Sequence, residues 1–107
     1  MSAYMIANVD IKDSEKIKEY LKLTPSLIRK FGGKFLVRGG EFWVAEGNWK
    51  PKRLVILEFD SFARAKEFWY SEEYAPVKAL RQEAAETEVV FVESLPEDLA
   101  ASLNSSG

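Results

Sequence analysis

The segment RLVILEF at residues 53–59 decides the fold, because it is the strongest β-strand pattern in the chain. Side chains of a strand alternate between the two faces of a sheet, so Val55 and Leu57 share one face. Leu54 and Ile56 lie on the other face. The strand is therefore apolar on both sides, and both faces of its sheet need a cover.

Two elements precede this strand near the N-terminus. Residues 3–10 form an apolar, β-rich run that predicts a first strand. Apolar residues then recur at helical spacing from Ser14 to Phe31, and Asp13 is suited to cap the start of that helix. Because Pro25 has no backbone N–H to donate, we expect a kink or a break near residues 22–24.

The centre of the chain predicts a β-hairpin. Residues 34–38 and 42–46 are two short extended runs, and Gly39-Gly40 joins them. A longer turn over residues 47–51 then leads into the strong strand.

The C-terminal half predicts a second helix and a last strand. Ser61 is suited to cap the helix, and Ser71 to start a fresh helical segment after it. The last strand covers residues 88–93. We expect residues 1–95 to form a single domain and residues 96–107 to be a flexible C-terminal tail.

The predicted order of elements is β-α-β-β-α-β, which is typical of a ferredoxin-like α+β fold with an antiparallel sheet. In this arrangement both helices cover one face of the sheet. The opposite face is apolar as well, so we expect a second copy of the chain to cover it. The result would be a homodimer in which two sheets pack into a shared α/β-barrel.

The composition excludes most familiar catalytic machinery. The 107 residues include no His and no Cys, so Ser-His-Asp and Cys-His catalysis, disulfides, and zinc or haem sites with His or Cys ligands are excluded. The net charge of −2 comes without a basic stripe, so nucleic acid is not an expected partner. No secretory or membrane-spanning pattern is present, which predicts a cytoplasmic protein and no membrane association.

A candidate site surrounds Glu58, whose carboxylate lies among apolar neighbours and needs a partner. The available cations and the polar residues at same-face positions are Tyr4, Asn8, Arg38, Arg53 and Arg81. A polar cluster inside an apolar cup is typical of a small-ligand pocket. The alternative is that Glu58 and an arginine form an ion pair that only fixes the register of the sheet.

Aromatic and acidic residues suggest two further features. Trp43, Trp49 and Trp69 are expected in the core or in the dimer interface, although Trp49 could instead close a pocket opening. Asp10 and Asp13 could hold a hard cation, but a helix cap explains Asp13 without one. We therefore predict no metal site.

Several short blocks of this sequence form one pattern. The blocks are Gly32-Gly33, Arg38-Gly39-Gly40, Glu46-Gly47-Asn48-Trp49, and the phrase containing Trp69, Ser71 and Tyr74. In their order and spacing they resemble the bacterial family called domain of unknown function 1330. The resemblance spans about residues 4–94 and implies a ferredoxin-like protomer in a dimeric α/β-barrel. The family has no established reaction, so the resemblance implies no catalytic residues and no cofactor.

Carried over position by position, the resemblance marks candidate ligand-binding residues. They are Asn8, Arg38, Glu46, Trp49, Arg53, Glu58, Ser71, Tyr74 and Arg81. As catalytic candidates, Arg38 would anchor an anionic or carbonyl oxygen, and Tyr74 would donate a hydrogen bond. Glu58 or Glu46 would act as a base if burial raised its pKa.

Two functions fit these observations. The first is a homodimer that binds a small organic molecule in a pocket between sheet and helices, with activity like that of a cofactor-independent oxygenase or an isomerase. The alternative is a non-catalytic dimeric domain with a regulatory or stress-related role.

Overall fold

The computed structural model describes residues 1–105, which form four strands and four helices. The strands are β1 (Ala3–Ile11), β2 (Gly33–Arg38), β3 (Leu54–Phe59) and β4 (Ala85–Glu93). The helices are α1 (Ile17–Lys30), α2 (Phe62–Tyr70), α3 (Ala75–Ala84) and α4 (Glu97–Ser105). None of these helices is long and apolar enough to cross a membrane.

The strands form one antiparallel sheet in the spatial order β2-β3-β1-β4. Strand β1 is central and pairs with β3 on one side and with β4 on the other. This order, with helical connections after β1 and β3, is the ferredoxin-like α+β fold that the sequence predicted.

Helices α1, α2 and α3 cover one face of the sheet. Met5 and Ala7 of β1 and Leu57 and Phe59 of β3 are buried on this covered face. They pack with Phe68 and Tyr74 from the helical layer. The core of the protomer therefore lies between the helices and the covered face.

The opposite face of the sheet is apolar at its centre, and its side chains there are only partly buried or exposed. Ile6 of β1 is in register with Ile56 of β3 and with Val90 of β4, so the three side chains lie side by side. Val90 is 56% exposed. We call this surface the open face. The strands are thus apolar on both sides, as predicted.

The helix starts follow the predicted caps. Ser61 Oγ accepts a hydrogen bond from the Arg64 N–H at 3.0 Å. Ser71 Oγ accepts from the Tyr74 N–H at 3.1 Å and donates to the Phe68 carbonyl at 2.8 Å, so α2 ends and a new helical turn begins there. The second helix is therefore divided in two, as predicted.

The expected break in the first helix does not occur. Helix α1 continues through Pro25. Ile17, Thr24 and Ile28 are buried on both sides of the proline, so packing holds the helix together. The Thr24 hydroxyl donates to the Tyr20 carbonyl at 2.5 Å.

The expected strand at residues 42–46 is absent among the elements of residues 1–105. Strand β2 pairs directly with β3, so residues 39–53 form the connection of a longer hairpin. These residues have no regular structure and are mostly exposed, with Trp43 84% exposed, whereas Pro51 is buried.

Within the expected C-terminal tail the structure has one helix. Residues Glu97–Ser105 form α4, in which Glu97 and Asp98 occupy the first turn, where acidic side chains favour a helix. None of its residues is buried. Ser106 and Gly107, also expected to be flexible, lie outside the described residues.

The loop after β2 starts at a position that only glycine fits. Gly39 has a φ of +72°, and a Cβ atom there would lie 2.4 Å from Nη1 of Arg53. The Gly39 N–H donates to the Leu54 carbonyl at 2.8 Å. The guanidinium of Arg53 therefore rests against the backbone of Gly39.

We predict that Gly39→Ala lowers the free energy of unfolding by about 1–3 kcal/mol, because a left-handed backbone is strained for alanine and Arg53 must move. Gly40→Ala is the matched control, since a Cβ atom at Gly40 would meet nothing within 4 Å. Urea denaturation of both variants measures the difference. Equal stability of the two variants would contradict this account of the loop.

Candidate functional site

A β-bulge in β2 decides which way Arg38 faces. Phe35 is in register with Leu57, but Val37 is in register with Ile56 and Arg38 with Val55, so Leu36 is an extra residue. Because Val55 lies on the covered face, Arg38 lies there too. The expectation that Arg38 shares a face with Glu58 is therefore wrong.

A cavity of about 50 Å³ lies between α1 and the covered face. Its wall is mainly apolar and is built by β1, β3 and α1, with Ala7, Leu57 and Ile28 among its residues. Three arginines line it as well, Arg38, Arg53 and Arg81. We call it the arginine cavity.

Arg81 is the buried cation of this cavity. The residue is 2% exposed, and its Nε–H has no hydrogen-bond partner within residues 1–105. The guanidinium carbon lies 5.9 Å from the Tyr20 ring centre and 5.5 Å from the Trp69 ring centre, so two aromatic rings offset part of the missing pairing. A buried cation without an anion costs several kcal/mol of stability. Arg81 therefore leaves a strong donor unused beside the cavity.

The other two arginines are more exposed and also lack acidic partners. The five ion pairs found within residues 1–105 involve neither Arg38 nor Arg53 nor Arg81. Arg38 lies over the Phe35 ring at 4.9 Å. The lining of the cavity thus carries three positive charges and, within the described part of the chain, no carboxylate.

Asn8 holds the segment that carries Arg53. Its Oδ1 accepts from the Lys52 N–H at 2.8 Å, and its Nδ2 donates to Glu88 Oε1 at 3.1 Å. The next residue, Val9, donates its N–H to the Arg53 carbonyl at 2.8 Å. Asn8 itself lies on the open face and does not line the cavity. It therefore positions Arg53 from the opposite side of the sheet.

Tyr74 lies directly behind the cavity wall. Its hydroxyl is 3.2 Å from the hydroxyl of Tyr20, which lines the cavity. Burial raises the pKa of Tyr74 well above its usual value, since the phenolate would lose its water, and neighbouring Arg81 only partly opposes this. Tyr74 is therefore a neutral phenol whose partner is Tyr20. Tyr20, which lies on the apolar stripe of α1, was not among the predicted site residues.

Glu58 lies on the open face, away from the arginine cavity. Lys34 is directly across from it on β2, and Lys34 Nζ lies 3.2 Å from Glu58 Oε1. The hydrogen bond from Lys34 lowers the pKa of Glu58. The pKa of Glu58 is thus lowered and not raised, and its ion-pair partner is Lys34 and not the arginine that the alternative named.

The remaining predicted residues do not line the arginine cavity. Ser71 caps the turn before α3, as described above. Glu46 and Trp49 lie in the exposed loop of residues 39–53. Of the nine predicted ligand-binding residues, the structure brings only the three arginines together around one cavity.

The comparison with known families gives one match over most of the chain. Residues 2–95 match the family described as Domain of unknown function (DUF1330). No functionally curated protein matches the chain.

Solved structures with the same fold include proteins of different kinds. The RPA0582 protein of unknown function from Rhodopseudomonas palustris aligns with a TM-score of 0.71 and 18% identity, over 89% of this chain and 83% of its own. SnoaB, a cofactor-independent oxygenase from Streptomyces nogalater, aligns with a TM-score of 0.64 and 7% identity, over 89% and 94%. A dimeric ferredoxin-like protein of unknown function from Thermobifida fusca aligns at 0.53 and 13%, over 88% and 92%. At these identities the likeness concerns the fold alone.

The raised pKa of Tyr74 predicts a loss of stability in alkali. The unfolded chain releases the Tyr74 proton near pH 10 and the folded chain retains it, so the contribution is present below pH 10 and is lost as pH rises further. From pH 8 to pH 11, the stability of the wild type relative to Tyr74→Phe should fall by about 1 kcal/mol. Urea denaturation at the two pH values measures this change.

Tyr70→Phe is the matched control, because it removes an exposed phenol from the neighbouring helix. Its stability relative to the wild type should not change with pH. If the two variants behaved alike, the burial of the Tyr74 phenol would not govern the alkaline response.

Proposed function

We propose that this chain, which belongs to the family Domain of unknown function (DUF1330), is a homodimeric protein that binds a small organic molecule in the arginine cavity. The observation that carries the proposal is the cavity itself: a mainly apolar space beside three arginines that have no acidic partner within residues 1–105. An apolar wall with a few convergent polar groups is the usual form of a small-ligand site.

The lining of the cavity favours binding over proton abstraction. Among the described residues, no Asp or Glu lines it, so no carboxylate base stands beside a bound molecule. Tyr20 lines it, and its hydroxyl shares a hydrogen bond with the Tyr74 hydroxyl. The fold that this chain shares with an oxygenase does not by itself assign a catalytic group. A cytoplasmic location is part of the proposal, and the alternative function is that of a non-catalytic dimeric domain with a regulatory or stress-related role.

The open face supports the homodimer. Its centre is apolar, with Val90 and Val92 of β4 exposed beside half-buried Ile6 and Ile56. A second copy presenting the same face would bury these side chains around a two-fold axis. One structure with the same fold is a dimeric ferredoxin-like protein, which accords with this assembly.

We predict that Val90→Glu makes the protein a folded monomer, because each copy would have to bury an unpaired carboxylate in the proposed interface. Leu23→Glu is the matched control, since Leu23 is an exposed apolar residue on α1, away from the open face. Native mass spectrometry and circular dichroism measure subunit number and fold. A wild type that is monomeric, or a Val90→Glu variant that stays dimeric, would show that the open face is not the interface.

Binding in the cavity is tested by NMR titration of the wild type with benzoate, benzamide, phenol and indole at millimolar concentration. We expect at least one compound to shift the amide signals of Ala7, Thr24 and Leu57, which line the cavity. Ala7→Leu should abolish these shifts because it fills the cavity. Ala63→Leu makes the same change at an exposed position of α2 and should leave them intact. If no compound shifts the cavity signals, the proposed function is wrong.

A further inference from the structure

We propose that the molecule held in the arginine cavity is a small organic acid whose carboxylate binds the guanidinium of Arg81. The inference rests on the proposed function and specifies the chemical class of the ligand. Its basis is the positive charge around the cavity and the Arg81 Nε–H, which has no hydrogen-bond partner within residues 1–105.

The positive charges around the cavity favour the binding of an anion. Its lining includes Arg38, Arg53 and Arg81, and within residues 1–105 it includes no Asp or Glu. A guanidinium group carries a positive charge near neutral pH. The ion pairs of the described residues use other cations. A bound anion would therefore supply the missing counter-charge.

The unused donor lies at the buried end of the site. Arg81 is almost wholly buried, yet its Nε–H has no partner in the described chain. Buried polar groups in folded proteins are nearly always paired, and an unpaired one needs an explanation. A ligand acceptor at this position would pair it.

The geometry of the donor favours a carboxylate. A guanidinium presents two parallel N–H groups, which match the two oxygens of a planar carboxylate. A phosphate ester carries more charge than a carboxylate and is more strongly hydrated, so the mainly apolar wall of the cavity disfavours it. Arg38 and Arg53 are more exposed than Arg81, so they would face the outer part of the ligand or its entry path.

The wall of the cavity favours an acid in which the part other than the carboxylate is apolar. Ala7, Ile28 and Leu57 line it and offer no hydrogen-bonding side chain. The hydroxyl of Thr24, which also lines it, already donates to the Tyr20 carbonyl. A short aliphatic or aromatic acid fits this division between an apolar wall and a cationic end.

A purely structural role for Arg81 makes a different prediction. If the rings of Tyr20 and Trp69 were the only partners of its guanidinium, replacing Arg81 would change stability but not the choice between an acid and its neutral analogue. The test therefore compares pairs of ligands that differ only in charge.

The experiment measures the affinity of wild type, Arg81→Met and Lys78→Met for benzoate against benzamide, and for isobutyrate against isobutyramide. NMR titration or calorimetry at about 0.15 M salt limits weak binding of anions to the surface. Lys78→Met is the matched control, because Lys78 lies on the same helix and over the same Trp69 ring at 4.5 Å but does not line the cavity.

We expect wild type and Lys78→Met to bind at least one acid about tenfold more tightly than its amide, as a charge-assisted bidentate pair would require. In Arg81→Met the affinity for that acid should fall about tenfold, whereas the affinity for the amide stays within about twofold. If Arg81→Met does not fold, the comparison of acid with amide in the wild type still decides.

Two results would overturn the inference while leaving the proposed function in place. One is equal or tighter binding of the amides by the wild type, and the other is an Arg81→Met variant that keeps the preference for the acid. Binding of neither acid nor amide at the cavity would instead refute the proposed function itself.

Discussion

The stacking of three aromatic rings in the core is the interaction on which the rest of the structure depends. The Phe68 ring centre of α2 lies 5.3 Å from that of Phe59 on β3 and 4.2 Å from that of Tyr74, just before α3. The contact joins the sheet to both segments of the divided helix, and such pairs contribute about 0.5–1.5 kcal/mol each beyond simple burial. Tyr74 immediately precedes α3 and faces inward, so its burial orients the start of that helix. Arg81 follows seven residues later, two helical turns on, and so faces the same side.

The arginine cavity follows from this placement at a cost in stability. A guanidinium that is buried without an anion is unfavourable, and the rings of Tyr20 and Trp69 compensate only part of that cost. A core selected for stability alone would place an apolar side chain at this position. Local departures from the rules of packing are typical of functional sites, which is why the unpaired cation indicates a ligand more strongly than the size of the cavity does.

The two faces of the sheet have different surroundings. The covered face carries the core and the cavity, and the open face is available to a second copy. Asn8 links the two, since its side chain lies on the open face yet holds the backbone that carries Arg53 towards the cavity. The fold tolerates very different sequences, as the 7% identity with SnoaB shows, because strand alternation and helix periodicity define it. The activity of such a fold is set by the few side chains at its site.

Much of the fold was predictable from the sequence, because its signals are local. The alternation of apolar residues around Leu57 indicates a strand that is apolar on both faces, and Ser61 and Ser71 mark the helix starts by their own hydrogen bonds. The family could also be identified from short blocks of residues. Each of these features depends on neighbours within a few positions along the chain.

The site was only partly predictable, because its features depend on residues that are distant in the chain. One extra residue at Leu36 moves Arg38 to the other face of the sheet, and the alternation of side chains does not reveal a bulge. The partner of Glu58 is Lys34, which pairing between strands decided. The sequence by itself determined which charged residues are available to be placed in the interior. Only the tertiary structure decided that three arginines meet at one cavity without an acid, since burial and pairing depend on elements that come together on folding.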